Sequence, residues 1–377
     1  MFDSVPLWMM IAGFLLVLGP LVTIHELGHY LVGRWFGVKA EAFSVGFGKE
    51  IAGRTDKHGT RWKLSALPLG GYVQFKGDMN PASIPDAGAL EDLSEEEREG
   101  NFHHAALWKR ALIVAAGPAT NLIVAVAIFA GFNMIYGKAV SVDEAQTNVV
   151  GSFAEVSTGR DAGLQVGDRI LAIDGDTVTE FQQIVEKIVL YPGQKIDISI
   201  DREGQQTVIP VTIGDYTEKD RFGNEARVGR IGVFSAEQQL QTVGPGEAVT
   251  LALDQTVGMV KMMVTGVVQI VTGDRSVQEL GGPIKIAKYS GEQLSLGWPA
   301  FISFAALISL NLAFINLLPI PALDGGHLAF YAVEAVRRKP AGPRGTEWAY
   351  RTGVVLVLAL MIFVTVNDVI SLPIFSS

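Results

Sequence analysis

The sequence predicts a polytopic α-helical membrane protein of four transmembrane helices, with an α+β domain inserted between the second and third and a small β element after the first. Of its 377 residues, 49% are hydrophobic and only 18% charged, whereas soluble domains usually carry about 25% charged residues. The apolar residues are also bunched into four stretches that approach the roughly 20 residues a helix needs to cross a bilayer. Between the second and third stretches, short alternating strands and turns replace the long apolar runs.

Residues 1–36 hold the first span, from Val5 to about Phe36. It is expected to remain in the chain, because Asp3 stands where a signal peptide has basic residues and no small-residue cleavage site follows. Residues 37–104 form a cytoplasmic segment, β-rich at first. There Trp62–Leu67, Pro68-Leu69-Gly70-Gly71 and Tyr72–Phe75 follow one another as in a hairpin. Asp78 to Gly100 is acidic and turn-rich, as in a surface loop. Residues 105–136 carry the second span.

Residues 148–234 form the inserted domain. Arg169–Asp176 and Lys195–Ile200 alternate as strands do, and between them Phe181, Ile184, Val185 and Ile188 share one helix face. In residues 246–297, the stretch Gly246–Val271 is apolar and Met-rich but interrupted by Asp254 and Lys261. It reads as an amphipathic interfacial helix, with a fifth span as the alternative. Residues 298–336 hold the third span and a break after it, and residues 348–370 the fourth.

Charge sets the orientation. Residues 34–110 contain 11 Lys and Arg and residues 337–351 five more, while the two ends of the chain have none. By the positive-inside rule those two segments are cytoplasmic, so both termini and the inserted domain lie on the other side. The formal charge of −9 and the lack of any long basic run argue against nucleic acid as a partner. With no cysteine, a disulfide framework, a thiolate metal site and a cysteine nucleophile are all excluded.

The first span contains His25-Glu26-Leu27-Gly28-His29. On a helix, residues four apart share a face, so His25 and His29 can grip one zinc ion while Glu26 polarises a water bound to it. The bare pattern is only moderately specific. Its setting adds weight, because polar residues within a lipid-spanning helix cost several kcal/mol unless they face a protected polar site. A catalytic zinc wants three protein ligands and one open position, and Asn311–His327 offers the third. Pro319, Pro321, Gly325 and Gly326 break the helix there, and irregular backbone at membrane depth survives only when buried in protein or lining a cavity. Asp324 in that break is taken as the third ligand. His327 is its competitor, and a helix cap is the other reading of Asp324.

These motifs resemble the site-2 protease family of intramembrane metalloproteases (peptidase family M50), in particular its bacterial regulator-of-sigma-E protease branch. Three segments carry the likeness: His25 to Gly48, Ala115-Ala116-Gly117-Pro118-Ala119-Thr120-Asn121, and Asn316 to His327. The segment Ala162-Gly163-Leu164-Gln165-Val166-Gly167-Asp168-Arg169-Ile170 is similar to part of a bacterial PDZ domain. The expected architecture is therefore a four-span helical protein with an inserted PDZ-like domain and a small membrane-associated β element.

The resemblance implies one zinc ion per chain on His25, His29 and Asp324, with Glu26 as general base. It implies that Asn316 holds the substrate backbone or the oxyanion; the alternative is interhelical packing. Asn121 has the same two readings, and packing is favoured. Gly70, Gly71 and Tyr72 would lie in a strand that pairs with unwound substrate, or in a plain structural hairpin. The PDZ-like domain would bind peptide C-termini. One such domain is present, where some members carry two in tandem. His103-His104 stands where the family has a proline before the aromatic residue, and adjacent loop histidines are usually just solvated.

The implied activity is intramembrane cleavage of single-span proteins, such as anti-sigma factors or remnant signal peptides, after a first cut by another protease. The setting would be the bacterial inner membrane, with the active site toward the cytoplasm. A non-cleaving zinc scaffold and a metal transporter are the competing classes. A scaffold needs no Glu26, and a transporter needs no peptide-binding domain.

Overall fold

The computed structural model describes residues 5–77, 94, 98–141, 147–219, 225–339 and 343–370. Most of the stretch expected as an acidic loop therefore lies outside the described residues. In chain order the elements begin with α1 (Leu7–Trp35), β1 (Ala40–Thr55), β2 (Arg61–Phe75), α2 (Leu107–Tyr136), β3 (Lys138–Ser141), β4 (Val150–Phe153), α3 (Thr158–Asp161), β5 (Arg169–Ile173), β6 (Asp176–Thr177) and α4 (Phe181–Ile188). They continue with β7 (Lys195–Arg202), β8 (Gln205–Thr212), β9 (Gly214–Lys219), β10 (Glu225–Arg230), β11 (Val233–Ser235) and β12 (Gln238–Gln241). Helices α5 (Pro245–Thr272), α6 (Pro283–Ser295), α7 (Trp298–Leu317), α8 (Asp324–Arg337) and α9 (Pro343–Ile370) complete the described chain.

Among the described residues, α1, α2, α5, α7 and the Trp348–Ile370 part of α9 are long and apolar enough to cross a membrane, by length and composition. The sequence predicts four of these as spans and sets 246–271 apart. That stretch is one unbroken helix, α5. It ends at Gly273, whose φ of +85° suits glycine, and α6 starts separately behind Gly281-Gly282 with Pro283 in its first turn.

The chain divides into two units, residues 1–128 with 281–368 and residues 129–280 with 369–377. In the first unit, α1 passes through Pro20 and stops at Phe36-Gly37. Neighbouring helices approach it at glycines. A Cβ on Gly13 would lie 2.7 Å from the Ser290 backbone of α6, and one on Gly28 would lie 2.6 Å from Ala116 O of α2. Small residues allow such approaches where apolar burial cannot drive helix association. The buried Asp368 carboxylate accepts from the backbone N–H groups of Gly282, Ile284 and Lys285, so α9 caps the start of α6. Arg110 of α2 pairs with Glu334 of α8 at 2.9 Å.

Strands β1 and β2 pair antiparallel, but not as the expected hairpin. Tyr72–Phe75 does not fold back on Trp62–Leu67; both halves of β2 pair with β1, and Phe43 stands opposite Val73 as well as Trp62. The cause is the bend in β1, where Gly46 and Gly48 take φ of +91° and +89°, a region that favours glycine. The reversal itself is at Asp56. Its carboxylate accepts from Trp62 Nε1 and from the backbone of His58 and Thr60. These bonds, the one from Trp62 foremost, pull its carboxyl pKa down to about 2. The element packs on α1 through Phe43, Tyr30 and Trp62, with the Phe43 and Trp62 rings 4.6 Å apart.

The second unit is built on a four-stranded antiparallel sheet of order β6-β5-β7-β8. Ile196, Ile198 and Ile200 of β7 alternate inward, as period-two burial requires. Ile184 and Ile188 of α4 pack on the same core, while Phe181 is half-buried and Val185 is exposed. A capping box between Glu180 and Gln183 starts α4. Ile198 is fully buried in this core. Ile198→Ala is expected to destabilise the domain by about 2–5 kcal/mol, read as faster hydrogen exchange throughout its sheet. Unchanged exchange would show that this sheet does not open as one cooperative body.

Candidate metal centre

Helix α1 carries His25 and His29 one turn apart, both more than nine-tenths buried. Their Nε2 atoms approach to 3.2 Å. Asp324 Oδ2 stands 3.1 Å from His25 Nε2 and 3.6 Å from His29 Nε2. Among the described residues these three form a group whose ligand-capable atoms all lie within 4.8 Å of one another.

The backbone around Asp324 explains its reach. Helix α7 ends at Leu317, and Asp324 is the first residue of α8, behind Leu323 at the N-cap. The N-cap side chain is apolar and caps nothing. Ala322 takes φ of +86°, an uncommon conformation for a residue with a side chain and one of the kind that clusters at functional sites. Gly325 and Gly326 let α8 start tightly against the break. A Cβ on Gly325 would meet the Leu317 and Leu318 carbonyls.

The hydrogen positions matter as much as the distances. His29 Nδ1 lies 2.8 Å from Ile113 O. A carbonyl only accepts, so the ring hydrogen is on Nδ1, and Nε2 of the neutral ring carries a lone pair. Among the described residues, Asp324 Oδ2 has no hydrogen-bond donor in bonding geometry. Lone pairs facing one another at such distances repel unless a proton or a cation lies among them. The space beside them is kept clear by Gly117 of α2. A Cβ there would lie 2.7 Å from His25 Nε2 and closer still to His29 Nε2. Two imidazole nitrogens, one carboxylate oxygen and an open side match the kind of donor set that a catalytic zinc uses.

Glu26 follows His25 on α1, and its Oε2 accepts the backbone N–H of Val73 at 3.1 Å. It shares a cavity of about 200 Å³ with the three ligand-capable residues, Asn316 and His327. His327, the competing ligand, shares a hydrogen bond of 2.5 Å between its Nδ1 and the Tyr350 hydroxyl and does not join the three-atom group. Strand β2 contains the other expected residues. A Cβ on Gly71 would lie 3.7 Å from Glu26 Cγ, and one on Gly70 would lie 2.8 Å from the Phe47 ring. Tyr72 stacks on Phe47 instead, with 6.2 Å between ring centroids.

Several groups at the site escape sequence reasoning. Phe102, stacked on Phe75, lines the cavity from a segment read only as loop. The Ile113 carbonyl and the Val73 N–H are backbone groups, which nearly every residue type supplies, so no sequence signal marks them. Gly117-Pro118 inside an apolar span is visible in the sequence, but its proximity to the histidines is not.

A peptidase family M50 model matches residues 13–360. A protein of Agrobacterium fabrum named for zinc metalloprotease activity is 43% identical over 370 residues, covering 96% of each chain. A Rhizobium meliloti protein of the same description is 43% identical over 360 residues, which is 94% of this chain and 95% of its own. Metalloprotease MmpA of Caulobacter vibrioides is 32% identical over 382 residues, 95% of each chain. The chain belongs to peptidase family M50. It is a metalloendopeptidase.

Proposed function

We propose that this protein is an intramembrane zinc endopeptidase, with one zinc ion held by His25, His29 and Asp324 and with Glu26 as general base. The observation that carries this reading is the convergence of three buried ligand atoms, one of them donorless, at a clear space between helices apolar enough to span a bilayer. Zinc bound there would supply a Lewis acid and a water acidified toward neutrality. Glu26 takes the proton of the attacking water and delivers it to the leaving amine. Asn316, on the cavity wall, holds the substrate backbone or the developing oxyanion.

A transmembrane helix hides its peptide bonds in its own hydrogen bonds, so a substrate span must unwind before attack. Strand β2 is placed to receive the unwound chain by strand addition. A Cβ on Gly71 would lie 3.7 Å from Glu26 Cγ, so the strand runs beside that glutamate, and the Val73 N–H donates to its carboxylate.

The inserted domain acts as a PDZ-like module. A groove of about 670 Å³ runs between α4 and the segment Ile231–Phe234, with Ile184, Val185, Ile188 and Val233 on its walls. It suits the apolar C-terminus of a peptide, such as one exposed by a first protease. The substrates are then single-span proteins already shortened outside the membrane, of the anti-sigma factor or remnant signal peptide kind. Both termini and the module lie in the periplasm of an inner-membrane protein. Four helices span, and α5 lies at the interface. Gln269 of α5 donates to Leu190 O at 2.8 Å, and the Glu186 carboxylate of α4 lies near the Gly258 position. A spanning α5 would carry those polar groups of the module to bilayer depth, at a cost of several kcal/mol each.

The test uses the full chain in liposomes with a tagged single-span substrate lacking its outer domain. A cut within the span that stops on chelation and returns with one equivalent of zinc is expected. Cleavage that persists in metal-free protein would sink the proposal.

A further inference from the structure

Asn121 of α2 is fully buried. Its side-chain amide stands 3.3 Å from His25 Nδ1, and its Oδ1 has no hydrogen-bond partner among the described residues. Its position along α2 is pinned by Ser309 of α7, whose hydroxyl donates to Asn121 O at 2.8 Å. A buried amide oxygen without a donor calls for a cause.

The two ends of an amide are nearly equal in shape but opposite in hydrogen bonding. With the NH₂ toward the ring, His25 Nδ1 must accept, which moves the ring hydrogen to Nε2. That hydrogen would then occupy the space where His29 Nε2 and Asp324 Oδ2 converge. With the oxygen toward the ring, Asn121 accepts the Nδ1 hydrogen, the partnerless atom is satisfied, and Nε2 keeps its lone pair. His29 is already held in this way by the Ile113 carbonyl, at 2.8 Å.

We infer that Asn121 is a positioning residue for the metal centre: its Oδ1 accepts the Nδ1 hydrogen of His25 and so presents Nε2 to the ion. This replaces the packing role favoured from sequence, and it rests on the metal-site reading above. Outer groups that orient histidine ligands typically change metal affinity 10–100-fold.

The test is zinc affinity of the full chain in detergent, measured by chelator competition, beside the thermal midpoint of the zinc-free protein. Asn121→Leu is expected to bind zinc about 10–100-fold more weakly. Asn121→Asp, whose carboxylate accepts the same hydrogen, is expected to bind at least as tightly as wild type. A packing role predicts the reverse order, because leucine suits an apolar helix interface and a buried carboxylate does not. Should Asn121→Leu not fold, Asn121→Ala serves for the same comparison. Wild-type affinity in the apolar variant, or weaker binding by Asn121→Asp than by it, overturns the inference alone. A wild-type chain that takes up no zinc overturns the metal-site reading, and this inference with it.

Discussion

Gly117→Ala is expected to yield a folded chain with almost no zinc and no peptidase activity. The added methyl group would lie 2.7 Å from His25 Nε2 and nearer still to His29 Nε2. Zinc sits about 2.0–2.1 Å from its imidazole nitrogens, so the methyl carbon takes the region the ion needs. The helix itself does not suffer, because alanine is favoured over glycine in a helix interior by about 1 kcal/mol. The buried imidazoles must shift to admit the methyl group, an overpacking cost of about 1–3 kcal/mol, so the thermal midpoint of the zinc-free chain should fall only modestly while metal content falls from about one per chain toward zero. Full zinc content and normal turnover in this variant would place the metal elsewhere.

Glu26→Gln is expected to do the opposite to the metal and the same to the chemistry. Zinc stays near one per chain, since the glutamate is not one of the three convergent ligands. Cleavage falls by about 10²–10⁴-fold, the usual contribution of a general base. The amide oxygen of glutamine can still accept the Val73 N–H that Glu26 Oε2 receives at 3.1 Å. Strand β2 therefore keeps its place, and the loss reports proton transfer. Wild-type cleavage would assign the base to another residue; loss of zinc would make Glu26 part of the metal's support.

Much of the site is legible in the sequence because helices convert spacing into geometry. His25 and His29 have to share a face, and Asp324 is drawn in by the proline and glycine break around it. The inserted domain is legible for a similar reason: Ile196, Ile198 and Ile200 alternate in sequence and in burial. The β element is not. Its strands are defined by a bend at Gly46 and Gly48 that lets one strand meet both halves of its partner, whereas local turn signals favour the nearer pairing. Asn121 reads as a packing residue because buried asparagines between membrane helices commonly serve that purpose. The positioning role proposed for it rests on its distance to His25 and its partnerless Oδ1, neither of which is visible in sequence. The α5 stretch reads as interfacial from Asp254 and Lys261, yet by length and composition it could also span.

Helix α2 carries none of the three convergent ligand-capable residues, yet Ile113, Gly117 and Asn121, four residues apart along it, each meet a histidine of α1. The two helices work as a vernier. Sliding one past the other by a single turn, about 5.4 Å, would carry all three α2 groups past the histidines they face. A much smaller shift would already separate a carbonyl, a void and an amide from the atoms they serve. If the metal site is as proposed, its affinity is a reading of helix alignment as much as of ligand chemistry, and whatever sets that alignment in the bilayer would also load the enzyme.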